Sequence, residues 1–260
     1  MNFNEKVVLI TGAAGFIGKT FCNDIAKNGG RCILVDREPR ALTDFLRDLP
    51  LVESGPHVAI STDLGDMTSR HLMIERVVND FEKLDILVNN AAYTGDATLS
   101  GWVDDFEKQS IDTWSSAIQV NLTACFELSQ KLTPLLKNGI NPSILNVGSI
   151  YGIIGPTFSF YEGTDMGNPA AYAASKGGLI QLTRWLASAL GPGIRVNSVS
   201  PGGVFRNQPE IFINRYNEKT PLGRMATEQE ISNGMLFLVS DLASYVTGHN
   251  LVIDGGLTIT

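Results

Sequence analysis

Short apolar runs recur along this chain, separated by longer segments of helical periodicity, and this alternation constrains the fold more than any other feature. Runs without polar interruption suit strands that are buried on both faces, as in a parallel sheet. Strand–helix alternation of this kind predicts an α/β domain, a doubly wound parallel sheet with helices on both faces. The predicted strands are 7–10, 32–35, 58–60, 86–88, 144–147, 196–199 and 251–253, and the predicted helices are 15–27, 68–82, 112–136, 170–190 and 227–240.

The length and composition are those of a single folded domain. The 260 residues are 43% hydrophobic and 18% charged, which is enough apolar material for a full core. We therefore predict one domain over residues 1–260. Two stretches, 93–106 and 153–169, are rich in Gly, Asp and aromatic residues and lack periodicity. Each follows a predicted strand, so both are expected at the carboxyl edge of the sheet as substrate-binding loops.

Charge and residue types exclude several classes of function. A net charge of -7 offers no basic surface for nucleic acid or an anionic membrane. The cysteines and histidines show no metal-ligand spacing, so no metal site is predicted. The first residues lack the charged-then-apolar pattern of a secretory signal, and no apolar run reaches membrane-spanning length. The sequence therefore predicts a soluble, cytoplasmic protein.

A glycine-rich turn follows the first predicted strand. Thr11 is followed by Gly12, Gly15 and Gly18, and a predicted helix begins within this motif. Glycine lets a pyrophosphate approach the backbone, and the free amides at a helix start favour its negative charge. Because the pattern joins a strand to a helix, it predicts a dinucleotide site rather than an ordinary turn.

Asp36 ends the second predicted strand, 24 positions after Gly12. A carboxylate there accepts hydrogen bonds from both ribose hydroxyls and repels a 2′-phosphate, so NAD is favoured over NADP. The nearby Arg37 and Arg40 support the opposite interpretation, since either side chain can bind a 2′-phosphate. A helix cap or a solvated turn is the structural alternative for Asp36.

Tyr172 and Lys176 lie four positions apart in a predicted helix, so their side chains share one face. A nearby ammonium stabilises a phenolate and lowers the pKa of a tyrosine, which suits the phenol for proton transfer. Exposed amphipathic pairs have the same spacing. This pair, however, opens a long helix after the fifth predicted strand, at the edge where the nicotinamide of a bound dinucleotide would lie.

Two further polar residues stand at informative positions. Ser149 follows the fifth predicted strand, where a hydroxyl either hydrogen-bonds a substrate oxygen or caps a turn. Asn121 lies inside an otherwise apolar predicted helix, where a buried amide needs partners. Its side chain either bridges local backbone groups or holds a water molecule.

The order of these motifs resembles that of the short-chain dehydrogenase/reductase family along nearly the whole chain. The resemblance implies a Rossmann-type subunit that transfers hydride at a nicotinamide and assembles into dimers or tetramers. It implies that Tyr172 is the acid/base and that Lys176 is its electrostatic partner and a ribose ligand. Ser149 would steady the substrate oxygen, and Asn121 would support a proton relay through water. The matching motifs are Thr11–Gly18, Asp63-Leu64, Asn89–Ala92, Asn121, Ser149, Tyr172, Lys176, Pro201-Gly202, Pro221–Arg224 and Val252–Gly256.

The same resemblance predicts the cofactor contacts. Asp63 and Leu64 are expected beside the adenine, and Asn90 is expected in the wall of the cofactor cleft. The whole predicted set consists of Gly12, Gly15, Phe16, Ile17, Gly18, Asp36, Asp63, Leu64, Asn90, Ala91, Tyr172, Lys176, Pro201, Gly202 and Val204.

Three features depart from the pattern of the short members. The Gly-x-x-Gly-x-x-Gly spacing and the 23 positions between Ser149 and Tyr172 are nearer to the extended branch, which handles nucleotide sugars. These 260 residues contain no counterpart of that branch's substrate domain. Arg206 stands where many relatives have a threonine that contacts the nicotinamide amide.

The segments after the fifth and sixth predicted strands also resemble bacterial oxidoreductases of flagellin modification and surface-sugar biosynthesis. Among their polar residues, Glu162, Asp165 and Asn207 can hydrogen-bond sugar hydroxyls, and Arg206 can hold a phosphate. This likeness favours a sugar, a sugar phosphate or a nucleotide sugar as the substrate.

The sequence thus predicts an NAD-dependent oxidoreductase that interconverts a secondary alcohol and a ketone on a small carbohydrate-derived substrate. Two alternatives stay open. One is a nucleotide-sugar dehydratase or epimerase that uses bound NAD and produces no net NADH. The other is a non-catalytic NAD-binding partner protein, which would have no use for the Tyr–Lys pair.

Overall fold

The apolar runs form seven parallel strands in one sheet. A computed structural model describes residues 1–95 and 98–260. In the sheet the strand order is β3-β2-β1-β4-β5-β6-β7, and every neighbouring pair is parallel. All seven strands coincide with predicted runs to within two residues at either end. The strands are β1 Val7–Thr11, β2 Arg31–Asp36, β3 Val58–Ser61, β4 Ile86–Asn89, β5 Ser143–Val147, β6 Arg195–Pro201 and β7 Asn250–Ile253.

The helices occupy the connections between these strands. The predicted helix 170–190 has the expected bounds, whereas the predicted helix 112–136 consists of two α-helices joined by a π-helical turn, Gln119–Thr123. Two helices, Pro39–Asp48 and Glu210–Lys219, were not predicted. The helices are α1 Phe16–Lys27, α2 Pro39–Asp48, α3 Met67–Asp80, α4 Ile111–Ile118, α5 Ala124–Lys137, α6 Ala170–Leu190, α7 Glu210–Lys219 and α8 Glu228–Val239.

Two apolar cores cover the two faces of the sheet. Successive side chains of a strand point to opposite faces, and in β1 Val8 and Ile10 pack into one core while Val7 and Leu9 pack into the other. Residues of α1, α2 and α8 complete the first core, and residues of α3, α5 and α6 complete the second. The predicted doubly wound, Rossmann-type fold is therefore confirmed.

The strand order reverses direction at β1, which pairs with β2 on one side and with β4 on the other. Chain connections leave this point in opposite directions, so a crevice opens outside the carboxyl ends of β1 and β4. The predicted loop regions 93–106 and 153–169 follow β4 and β5. Residues 96 and 97 of the first region lie outside the described residues, and the role of both regions as substrate loops stays a prediction.

The sequence predicts neither a membrane-spanning helix nor a metal site. In the described part of the chain, no helix has the length and apolar character needed to cross a bilayer. Among residues 1–95 and 98–260, no group of three or more His, Cys, Asp or Glu side chains is arranged to hold a metal ion. The cytoplasmic location stays a prediction.

Candidate active site

A cleft of about 1150 Å³ opens at the carboxyl edge of the sheet. It lies where the strand order reverses, which is where open α/β sheets bind ligands. Ser149 and every residue of the predicted cofactor set line this cleft: Gly12, Gly15, Phe16, Ile17, Gly18, Asp36, Asp63, Leu64, Asn90, Ala91, Tyr172, Lys176, Pro201, Gly202 and Val204. The structure therefore brings residues from the whole length of the chain to one place.

The glycine-rich turn comes so close to its neighbours that side chains are excluded. Gly12 has a φ of +64°, and a Cβ atom there would lie 2.9 Å from the Cα of Ala91. A Cβ atom at Gly18 would lie 2.1 Å from the carbonyl oxygen of Gly12, so α1 packs directly on the turn. Helix α1 begins after Gly15 without a side-chain cap from any described residue. Its first amides are thus available to a diphosphate, and the cleft fits a dinucleotide.

Hydrogen bonds between the ends of β1 and β4 fix this turn. The hydroxyl of Thr11 accepts from the backbone amides of Asn90 and Ala91, each at 3.0 Å. The side-chain amide of Asn90 donates to the carbonyls of Thr11 at 2.9 Å and Gly12 at 3.1 Å. Asn90 therefore lines the cleft and also holds the glycine turn in position.

The carboxylate of Asp36 lies at the end of β2 and faces the same turn. One oxygen accepts from the amide of Ala14 at 2.9 Å, and the other accepts from the amide of Glu38 at 3.2 Å. Arg37 also lines the cleft, and its guanidinium pairs with Glu38 at 3.4 Å. Arg40 belongs to α2 and is not among the described residues that line the cleft.

A buried ion pair supports the wall formed by Asp63 and Leu64. Arg70 is buried and donates to the carbonyl of Leu64 at 2.6 Å. The Glu127 carboxylate of α5 lies 2.8 Å from its Nε. Burial opposes ionisation of Glu127, but hydrogen bonds from Arg70 and His71 outweigh it, so the net effect lowers the pKa of Glu127. No local sequence pattern predicts this support, because Arg70 and Glu127 are 57 positions apart.

Tyr172 and Lys176 project from the first turns of α6 into the cleft. The ammonium of Lys176 lies 5.7 Å from the centre of the Tyr172 ring and donates to the carbonyl of Val147 at 2.7 Å. Lys176 is only 2% exposed, and burial lowers its pKa to about 8. The side chain is therefore a buried amine within reach of a ligand in the cleft.

Burial raises the pKa of Tyr172 above its ordinary value. A hydrogen bond with Ser149 and the positive charge of Arg206 act in the opposite direction. The sequence predicts that Lys176 lowers the pKa of Tyr172. In this structure, however, the ammonium of Lys176 donates a hydrogen bond to a backbone carbonyl. Ser149 and Arg206 are thus the two groups that favour the phenolate in this structure.

Asn121 lies in the π-helical turn between α4 and α5 and is fully buried. Its side-chain oxygen accepts from the amide of Tyr93 at 2.6 Å, and its side-chain nitrogen donates to the hydroxyl of Ser175 at 3.0 Å. Asn121 therefore bridges groups that lie 28 and 54 positions away in the chain, and its part in a proton relay stays a prediction. Asn121 ties the loop after β4 to α6, behind the residues that line the cleft.

The loops beyond β5 and β6 differ from expectation. Glu162, Asp165 and Asn207, which the sequence assigned to sugar recognition, are exposed and do not belong to the described cleft lining, so that assignment is not supported. Loop 153–169 instead packs aromatic residues on α7, and the hydroxyl of Tyr161 donates to that of Tyr151 at 2.7 Å. These apolar contacts come from α7, which the sequence did not predict.

The fold and cleft define the class of the protein as a nicotinamide-dependent oxidoreductase. A family model described as enoyl-(acyl carrier protein) reductase matches residues 12–258. The chain belongs to the short-chain dehydrogenase/reductase family, as the order of its motifs predicts.

Relatives and solved structures of this family resemble the chain over its whole length. It is 35% identical to the 3-oxoacyl-[acyl-carrier-protein] reductase FabG of Thermotoga maritima, with 100% of both chains covered. It is 37% identical to the trans-4-hydroxycyclohexanecarboxylate dehydrogenase of Sinomonas cyclohexanicum, covering 98% of this chain and 93% of that one. A crystal structure of a Leptospira borgpetersenii short chain dehydrogenase with bound NAD⁺ shows 36% identity and a TM-score of 0.83, covering 99% and 94%.

The resemblance to flagellin-modification proteins also has a counterpart. The post-translational flagellin modification protein A of Campylobacter coli is 29% identical, covering 97% of this chain and 98% of that one. The names of these relatives therefore refer to acyl, alicyclic and flagellin-related substrates or roles. Membership of the family does not by itself identify the substrate.

We predict that replacing Asn121 by Ala lowers the free energy of unfolding by about 2 kcal/mol, because the partly buried amide of Tyr93 loses its acceptor. Urea denaturation measures the change. The matched control is Gln119→Ala, an exposed residue of the same π-helical turn, for which a change within about 0.5 kcal/mol is expected. Equal losses in the two variants would contradict the bridging role.

Proposed function

We propose that the protein catalyses the NAD(H)-dependent interconversion of a secondary alcohol and a ketone, with Tyr172 as the acid/base. One observation carries this proposal. The phenol of Tyr172 and the amine of Lys176 line the same cleft as the glycine-rich turn and the uncapped start of α1. A proton-transfer group thus lies beside a site that fits a dinucleotide.

Each residue at this end of the cleft has a role in the proposed reaction. The nicotinamide cofactor supplies the hydride acceptor for the alcohol or the hydride donor for the ketone. The Ser149 hydroxyl, whose interaction with Tyr172 lowers the pKa of that phenol, orients the substrate oxygen. Tyr172 gives a proton to that oxygen during reduction and removes one during oxidation. Lys176 binds the ribose.

The pKa shifts relate the direction of reaction to pH. Because the pKa of Tyr172 is raised, the phenol is protonated at neutral pH, which is the form that donates a proton in ketone reduction. Alcohol oxidation needs the phenolate, whose fraction increases as the pH rises. Asn121 supports this pair indirectly, since its contact with Ser175 holds the helix that carries both residues.

Replacing Tyr172 by Phe should lower kcat about 10²- to 10⁴-fold, because the proton-transfer group is lost while the ring stays in place. Turnover is followed as NADH production, and NADH affinity is followed by nicotinamide fluorescence, which should stay within about twofold. The control is Tyr245→Phe, a fully exposed tyrosine outside the cleft. Full activity of the Tyr172 variant would overturn the assignment.

We propose NAD rather than NADP as the cofactor, on the position of Asp36. Its carboxylate is fixed beside the glycine turn, where it accepts from ribose hydroxyls and repels a 2′-phosphate. Arg37 lies at the same end of the cleft, but it is paired with Glu38.

The Asp36→Asn variant should bind NADH about tenfold more weakly and NADPH more tightly, because the amide keeps the shape and loses the charge. Titration of both cofactors, followed by fluorescence, measures the two dissociation constants. Asp44→Asn removes an exposed carboxylate of α2 that does not line the cleft, and it serves as the control. Tighter binding of NADPH than of NADH by the unmodified protein would mean that Arg37, and not Asp36, determines the cofactor preference.

For the substrate we propose a small carbohydrate-derived secondary alcohol. The support is the polar lining beside Tyr172, which includes Thr94, Ser149, Arg206 and Gln208, together with the relative named for flagellin modification. A panel of sugars, sugar phosphates and nucleotide sugars, with cyclic hydroxycarboxylic acids and hydroxyacyl thioesters as the competing classes, is tested for stoichiometric NADH production. Turnover confined to the competing classes would replace the carbohydrate assignment.

We also propose a homodimer or homotetramer assembled through α5 and α6. Phe126 on α5 and Trp185 on α6 are 42% and 61% exposed, so each helix presents a large apolar side chain that a second subunit can cover. Light scattering should give two or four times the 28.1 kDa chain mass. Trp185→Glu should lower that mass, whereas Leu51→Glu, at an exposed apolar residue outside both helices, should not. A monomeric mass for the unmodified protein would exclude this assembly.

A further inference from the structure

Arg206 is held in a fixed position at the rim of the cleft. Its backbone amide donates to the side-chain oxygen of Gln208 at 2.8 Å, and the Gln208 amide donates back to the carbonyl of Val204 at 2.8 Å. Val204 itself bridges to Ala226 in a short parallel pairing. The segment that carries Arg206 is therefore anchored on both sides, although it lies outside the regular strands and helices.

The guanidinium of Arg206 is oriented by two further contacts. Its Nε donates to the Glu228 carboxylate at 3.1 Å, and its Cζ lies 4.5 Å from the centre of the Phe16 ring. Stacking covers one face of the planar group and leaves its edges open. No described residue accepts a hydrogen bond from either terminal nitrogen. Within the described part of the chain the two Nη atoms are therefore unoccupied, and such a pair of donors binds a carboxylate or phosphate with two parallel hydrogen bonds.

The charges of the cleft lining are divided between its two ends. Three carboxylates and Arg37 lie at the end formed by β2 and the loop after β3. At the end beside Tyr172, the charged residues among those described are Lys176 and Arg206. Lys176 is buried and bound to a carbonyl, whereas the side chain of Arg206 is 36% exposed. Arg206 is therefore the cation that a ligand entering at this end meets first.

The Glu228 carboxylate does not prevent Arg206 from binding a second anion. It occupies only the Nε donor of Arg206, and it lies in the first turn of α8, where the helix dipole stabilises a negative charge. Its effect is to fix the guanidinium with the Nη pair free.

We propose that Arg206 is an anion-binding residue of the cleft, whose two terminal nitrogens bind a phosphate or carboxylate group of the bound ligands. Two sources of that group fit the position. Phe16 opens α1, so the diphosphate of a dinucleotide at that helix start lies beside Arg206. The positive charge of Arg206 acts on the phenol of Tyr172. An acidic group of a substrate bound beside Tyr172 is therefore the other source. The second source rests on the function proposed above; the first needs only the cofactor site.

Inorganic phosphate and NADH are the probes that test this site. Melting temperature is measured with increasing phosphate at constant ionic strength, for the protein alone and with saturating NADH. NADH dissociation constants are measured by fluorescence for the unmodified chain and for Arg206→Gln and Arg206→Lys. Arg76→Gln, which removes an exposed arginine of α3, is the matched control.

The proposal predicts that phosphate raises the melting temperature of the unmodified protein and of the Arg76 variant more than that of Arg206→Gln. If the cofactor diphosphate is the partner, Arg206→Gln weakens NADH binding about tenfold, and phosphate competes with NADH. If a substrate anion is the partner, NADH affinity changes less than about twofold, and phosphate stabilises the NADH complex of the unmodified protein more than that of Arg206→Gln. The effects measured for Arg206→Lys should lie between those of the unmodified chain and those of Arg206→Gln. Lysine keeps the positive charge but cannot donate two parallel hydrogen bonds from a planar group.

Equal phosphate stabilisation of the unmodified protein and Arg206→Gln, with equal NADH affinities, would overturn the proposal. Phosphate stabilises many folded proteins by exclusion from their surface, so the difference between variants is the decisive quantity. Failure of the proposed function has a different signature. A protein that binds no NADH would refute the cofactor site, while the phosphate titration without NADH would still test Arg206.

Discussion

The hydrogen bonds between Thr11 and Asn90 are the constraint on which the cofactor site depends. They join the ends of the two strands between which the crevice opens, and they bring the backbone of Gly12 against Ala91. Only a residue without a side chain allows that approach. The contact in turn fixes the turn on which α1 packs, so the free amides of α1, the Asp36 carboxylate and the wall of the cleft all take their positions from it.

Burial acts on both members of the pair on α6. It raises the pKa of Tyr172 and lowers that of Lys176, so it favours the neutral phenol and the neutral amine. The Ser149 hydroxyl and the Arg206 charge oppose this effect at the phenol. Burial outweighs both neighbours, because the net effect raises the pKa of Tyr172. The protonated phenol, which is the form that donates a proton in ketone reduction, is therefore the favoured form.

The sheet could be predicted from the sequence because each strand is a continuous apolar run, buried on both faces. Two helices could not: α2 and α7 are short and mainly polar, and only Leu42 and Phe45 of α2, and Phe212 and Tyr216 of α7, are buried. The predicted cofactor residues line the cleft because they follow strand ends, which share one edge. The pairing of Arg70 with Glu127 depends on how α3 packs against α5, and no local sequence pattern indicates that packing.

Residue type alone did not identify the polar side chains that reach the cleft. Glu162 and Asp165 lie in a loop whose aromatic residues pack on α7, and this packing leaves the two carboxylates exposed. Arg206 lies two positions beyond Val204, whose pairing with Ala226 holds that segment against the cleft. Both segments carry charged side chains in the sequence. What separates them is the anchoring of the backbone, because a long side chain reaches a ligand only where its backbone is held at the rim.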